Sequence, residues 1–154
     1  MNIVSSEFSE IAWNYFLLAK KIAHRNFHQN IDSEHLFLSI LQTNKSLKKI
    51  LELNQLNIKA VEESLIKEIA NKGKMKSKQN TLFIGDTLYK TFMKANDIKE
   101  KSREVVISTE HILQALIYDD DIGNLILNKK TIPEFIEFLH KMNKINPIEP
   151  ELDQ

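Results

Sequence analysis

The sequence contains no cysteine. Disulfides and thiolate metal sites are therefore excluded, which fits a reducing compartment. Glycine and proline are scarce, three of each in 154 residues, too few for the closely spaced turns of an all-β fold. No apolar run approaches the roughly 18 residues needed to span a bilayer. The first residues carry no basic stretch followed by an apolar core, so no secretory signal is expected and a cytoplasmic location is. Net charge is missing too: 21 basic and 21 acidic side chains cancel. No global field draws in nucleic acid or an anionic membrane, so neither is expected as a partner. What remains is a chain that is 42% hydrophobic and 27% charged, the composition of a soluble globular protein.

The signatures of chemistry are also missing. No GxxxxGK[ST] occurs, and Gly73, Gly85 and Gly123 are too scattered to cradle a triphosphate. His24, His28 and His35 with Glu34 form the one His/Glu cluster in the sequence. Zinc wants three or four good ligands and HExxH is absent, so these read as helix-end histidines. Asp119-Asp120-Asp121 is followed by Ile122-Gly123-Asn124-Leu125, without the alternating oxygens of a calcium loop. It reads as a charged helix start. No enzymatic activity, cofactor or metal is expected.

What is present is a repeat. Ile31-Asp32-Ser33-Glu34-His35-Leu36-Phe37 returns as Ile107-Ser108-Thr109-Glu110-His111-Ile112-Leu113, so that Glu34 and Glu110 stand 76 residues apart. The same shift pairs Trp13 with Tyr89, Phe16 with Phe92, Ala19 with Ala95 and Ile22 with Ile98. No gap is needed from Phe8/Ile84 to Leu41/Ile117, and beyond that the register slips by one or two. Apolar residues recur at steps of three and four throughout, the period of helices with one buried face.

The spacing predicts helices over about 9–26, 33–42, 45–53 and 58–71 in the first half. In the second it predicts about 86–102, 109–118, 122–128 and 132–142. Leu47, Ile50, Leu51 and Leu53 should be the buried side of the third helix. Ile58, Val61, Leu65, Ile66 and Ile69 should be that of the fourth. Ser9 suits an N-cap, and so do Ser33 and Thr109, with Glu34 and Glu110 in the positive first turn. Lys72 to Asn80 alternates lysine with small or polar residues, as a solvated loop between repeats does. The fold expected is all-α: two tandem four-helix repeats, about 5–71 and 83–144, related by pseudo-two-fold symmetry. An acidic, proline-containing stretch over 145–154 should be extended.

The doubled Ser/Thr-Glu-His-apolar-apolar signature in a double four-helix repeat resembles the Clp N-terminal domain. That domain precedes the ATPase modules of Clp-class AAA+ unfoldases and also occurs in stand-alone accessory proteins. The chain departs from the family in two places. Asp32 and Ser108 stand where the family usually has Gly before the hydroxyl residue. The connector's Gly-His pair is Phe27-His28 in one half and Arg103-Glu104 in the other.

The resemblance implies a non-catalytic binding module for unfolded or tagged substrates and adaptor proteins, working with a Clp ATPase ring or Clp protease. It leaves open a docking domain of an unfoldase, with 145–154 as the start of a linker, and a free-standing accessory protein. In some members each signature helix start holds phosphorylated arginine, which maps onto Ser33, Glu34, Thr109 and Glu110; the same residues also serve as plain caps. For an adaptor or substrate surface, the aromatic residues near the first helix, Phe8, Trp13 and Tyr15, are the first candidates.

Overall fold

The computed structural model describes residues 3–150. After a 3₁₀ turn at Ser5–Glu7, helix α1 (Glu10–Arg25) begins where the sequence places it. Ser9 is its N-cap, and the Ser9 hydroxyl accepts the Ala12 N–H at 3.1 Å. Helices α2 (Ser33–Thr43), α3 (Lys45–Leu53) and α4 (Ile58–Ala70) complete the first half. Helices α5 (Asp86–Lys101), α6 (Thr109–Leu116), α7 (Asp120–Ile126) and α8 (Ile132–Ile145) form the second. Two short strands, β1 (Asn30–Ile31) and β2 (Phe83–Ile84), lie just ahead of α2 and α5. No helix among the described residues is long and apolar enough to cross a membrane.

Helices α2 and α6 sit at the centre of their halves, and every residue of α2 from Ser33 to Leu41 is buried. That explains its near-continuous apolar sequence: a helix packed on all sides has no polar face. Helix α1 lies along α2, and α5 along α6. Phe8 and Phe16 of the first half meet Phe92 of the second edge-on, and Trp13 packs against Phe8 and Phe16, with ring centroids 5.0 to 5.8 Å apart. The core is thus shared between halves.

The pseudo-two-fold is visible in the backbone. Ile31 pairs with Ile84 in the parallel β1–β2 ladder, and Phe8 bridges to Ile107. A shift of 76 residues turns Phe8 into Ile84 and Ile31 into Ile107. The two contacts are therefore one contact seen from each half. Their hydrogen bonds match as well: the Ser9 N–H donates to Ile107 O and the Gly85 N–H to Ile31 O, each at 2.9 Å. Gly85 allows that approach, since a β-carbon there would lie 1.9 Å from Asp32 Oδ1.

Two inward assignments differ from the sequence expectation. Leu53 is 49% exposed and Ile66 48% exposed. Val61, Leu65 and Ile69 already make the buried stripe of α4 at steps of four, and Ile66 stands about 100° round from Leu65. Leu53 closes the last turn of α3, past the Leu47, Ile50, Leu51 face. The stretch over 145–154 also differs within the described residues. Helix α8 runs on to Ile145, and Ile148 is buried in the core at 2% exposure. Asn44 Nδ2 donates to Ile148 O at 3.0 Å, and the Ile148 N–H donates to Asn143 Oδ1 at 2.8 Å. One apolar residue between two prolines is enough to anchor the segment. Residues 151–154 lie outside the described part.

Candidate functional site

The repeated signature is built around its histidine. The N-caps are Asp32 and Ser108, with Ser33 and Thr109 one residue inside their helices, which corrects the sequence assignment by one position. The reason is the imidazole. Counted from these caps, His35 and His111 fall at the third helical position, where a capping box carries Glu or Gln. His35 Nδ1 accepts the Asp32 N–H at 2.8 Å, and His111 Nδ1 accepts the Ser108 N–H at 2.9 Å.

With Nδ1 accepting, the neutral ring carries its proton on Nε2. That proton goes to the connector. His35 Nε2 lies 2.9 Å from His28 Nδ1, and His111 Nε2 bonds the Glu104 carboxylate. His28 and Glu104 stand 76 residues apart, so one position serves both halves with different chemistry. Burial, then the charge of Lys72, lowers the His28 pKa. Burial, then His28, lowers that of His35 to about 4. The two buried histidines bond each other through His28 Nδ1 and His35 Nε2, and His28 Nε2 is left without a hydrogen-bond partner; His24 stands apart on α1.

The residues preceding these partners, Phe27 and Arg103, have φ of 62° and 60°. This left-handed conformation suits glycine.

The residues implied as ligand-binding are held by internal partners. The Ser33 N–H donates to Thr87 Oγ1 at 3.0 Å, and Ser33 Oγ lies 2.9 Å from Thr91 Oγ1. In the other half Glu149 reaches the start of α6. Its Oε1 accepts the Thr109 N–H at 2.7 Å, the Thr109 hydroxyl, and the Ser9 hydroxyl at 2.7 Å. The two glutamates differ. Glu34 is 4% exposed and lies 3.4 Å from Lys72 Nζ, which also reaches Asp32 at 3.3 Å. Glu110 faces outward beside His140 at 3.1 Å.

Glu34, Glu68 and Asp121 bring carboxylate oxygens within 4.8 Å of one another, the arrangement among the described residues that could hold a hard cation. Burial raises the pKa of Glu34 and of Glu68, and the Lys72 ammonium supplies counter-charge there.

The aromatic candidates are not a surface. Phe8 and Tyr15 are 6% and 8% exposed, and Trp13 is half-buried in the shared aromatic cluster. Tyr15 is further tied down by Asn44 Nδ2, which donates to its hydroxyl at 2.9 Å. Phe8, just ahead of α1, packs on Phe92 of the second half and Tyr15 is bonded to Asn44 and Ser39 of the first, so packing claims them.

The open apolar surface lies farther along α1, toward its C-terminal end. A groove of about 680 Å³ runs between α1 and α2. Leu17, Leu18 and Ile22 of α1, with Leu82 of the connector, give it an apolar lining. Leu17 is 40% exposed. A second groove, about 530 Å³, lies between α5 and α6 and is lined by Lys90, Lys94, Tyr118 and Asp119 to Asp121. A shift of 76 residues maps Leu18 onto Lys94, Ser39 onto Ala115 and Thr43 onto Asp119. The two grooves are thus overlapping counterparts in the two halves.

Comparison with known proteins agrees with this architecture. Residues 7–130 match the family described as the Clp repeat (R) N-terminal domain. The chain is 35% identical over 137 residues to the chaperone protein ClpB of Prochlorococcus marinus, covering 88% of this chain and 16% of that one. It thus spans about a sixth of the length of that relative. Among solved structures it is similar to the N-terminal domain of the ClpV1 ATPase from E. coli EAEC, with a TM-score of 0.77, 16% identity and coverage of 96% and 92%. It is likewise similar to the Hsp104 N-terminal domain from Candida albicans, with a TM-score of 0.74, 14% identity and 93% coverage of each chain. With its doubled four-helix architecture and its two histidine-capped helix starts, the chain belongs to the Clp repeat N-terminal domain family.

Proposed function

We propose that this chain is a docking domain that receives segments of protein substrates or adaptors on behalf of a Clp-class unfolding machine, with no catalysis of its own. The observation that carries this reading is the α1–α2 groove, an exposed apolar concavity on an otherwise well-packed bundle. An apolar surface left open beside a complete core marks a contact with another molecule. Grooves with an apolar lining take extended or helical segments. The family relationship supports the same reading, and a structural neighbour at a TM-score of 0.70 is described as a complex of the ClpV N-domain with a VipB peptide. Delivery to an ATPase ring or protease lies outside this domain; the domain's part is capture.

The signature helix starts are a weaker docking site, because Thr87, Thr91 and Glu149 already satisfy Ser33 and Thr109. The test is a peptide array covering an unfolded protein, probed with wild type and with a Leu17→Ser/Leu82→Ser variant. Captured peptides should be lost from the variant while its helical circular dichroism is retained. Capture unchanged by the variant, but abolished by Glu34→Ala/Glu110→Ala, would move the site to the helix starts.

A further inference from the structure

Resting on the docking reading above, we propose that the α1–α2 groove selects segments that are both apolar and acidic: an amphipathic stretch with Asp or Glu beside its hydrophobic face. Lys20, Lys21, His24 and Arg25 line the groove and no carboxylate does. Lys20, Lys21 and Arg25 are exposed. Among the described residues, none of the four is ion-paired.

The simplest structural explanation of this cluster is the negative end of α1, which cations complement. The repeat argues against that as the whole reason. Helix α5 has the same length, 16 residues, and answers its dipole with Lys99 and Lys101. At the positions matching Lys20, Lys21, His24 and Arg25 it carries Asn96, Asp97, Glu100 and Lys101. A helix of this fold therefore ends well without a continuous basic edge. The counterpart groove between α5 and α6 is lined by three aspartates and two lysines. The two halves have thus diverged to give one cationic groove and one of mixed charge, a difference the zero net charge conceals.

The chemistry of the lining names the partner class. Leu17, Leu18, Ile22 and Leu82 take the apolar side chains. The cations beside them take carboxylates, Arg25 in a fork that matches a carboxylate's two oxygens. No Phe, Tyr or Trp lines the groove, so a nucleic-acid strand finds phosphate contacts but no broad stacking platform. An acidic protein segment fits both halves of the lining.

The test measures fluorescence anisotropy of three labelled amphipathic peptides of equal length and leucine spacing. Their polar faces carry glutamate, glutamine or lysine. The glutamate peptide should bind most tightly, and its affinity should fall as salt rises. A Lys21→Glu/Arg25→Glu variant should weaken it by about tenfold, while Lys94→Glu in the other groove should leave it unchanged. Equal binding of the glutamate and glutamine peptides, insensitive to Lys21→Glu/Arg25→Glu, would overturn the acidic preference and leave the docking role standing. Preference for the lysine peptide would overturn it as well. Failure of all three to bind would remove both. A poly-dT strand that outcompetes the glutamate peptide from the same groove would reassign the basic edge to nucleic acid.

Discussion

At the residue scale, the most informative group is the His28–His35 pair. Burial opposes the charging of both rings; Lys72 adds repulsion at His28 and His28 adds it at His35, with Asp32 pulling the other way at each. A histidine whose folded pKa is lowered takes up protons on unfolding, so stability falls as pH falls. The window runs from the ordinary value of 6.5 down to about 4. Glu34 and Glu68, with raised pKa, act in the opposite sense just above the ordinary carboxylate value. The histidine contribution is therefore read by difference. His35→Gln keeps an acceptor for the cap and removes the titration. Its melting temperature should vary less with pH between 6.5 and 4 than that of wild type. Parallel pH profiles would show that the pair does not govern acid sensitivity.

Arg103 gives a second residue-scale prediction. It is exposed and sits at φ 60°. Arg103→Gly should stabilise the fold by about 0.5–1 kcal/mol, read as a rise in the denaturant midpoint. A fall would mean that the side chain contributes more than its strained backbone costs.

At the scale of elements, the caps and the segment after α8 decide what holds the halves. The Ser108 hydroxyl caps α6, and Ser108→Ala should cost about 1 kcal/mol in denaturant unfolding. Ile148 is buried, with both its backbone groups hydrogen-bonded to side chains. Ile148→Ala should cost about 2–4 kcal/mol, as core truncations do. A cost near zero would return the segment to the extended linker its composition suggests. This is where the sequence was hardest to read. Prolines and acids around Ile148 say loop, and nothing local says that its side chain fits a slot near Asn44, more than a hundred residues away.

The same limit applies to the caps. The period of α2 and α6 was plain, yet the cap was off by one, because His is not the usual partner in a capping box. The connector offered the missing signal: positions 27–28 and 103–104 match across the repeat, and His28 and Glu104 both receive the imidazole proton.

At the scale of the whole molecule, the duplication carried most of the architecture. The 76-residue shift anticipated the two halves and their eight helices, while their symmetric contact through Phe8–Ile107 and Ile31–Ile84 is a finding of the structure. Periodicity alone left the docking surface undetermined. Phe8 and Tyr15 look adhesive in sequence but are buried, Phe8 between the halves and Tyr15 within the first. Leu17, one step round α1, is the open residue, and only the direction from which α2 packs separates them. Hydrophobic residues on a helix with a wide apolar stripe cannot be sorted into core and contact without knowing what lies opposite.

Capture of protein segments in the groove between α1 and α2 is the role we propose for this family member. Amide chemical-shift mapping reads it residue by residue, with the domain titrated by an amphipathic peptide that carries leucines and glutamates. Shifts should concentrate at Leu17, Leu18, Lys21, Arg25 and Leu82, with the α5–α6 groove quiet. Shifts centred on Thr109 and Glu110, or on Lys94 and Tyr118, would put the docking site elsewhere and overturn the proposal.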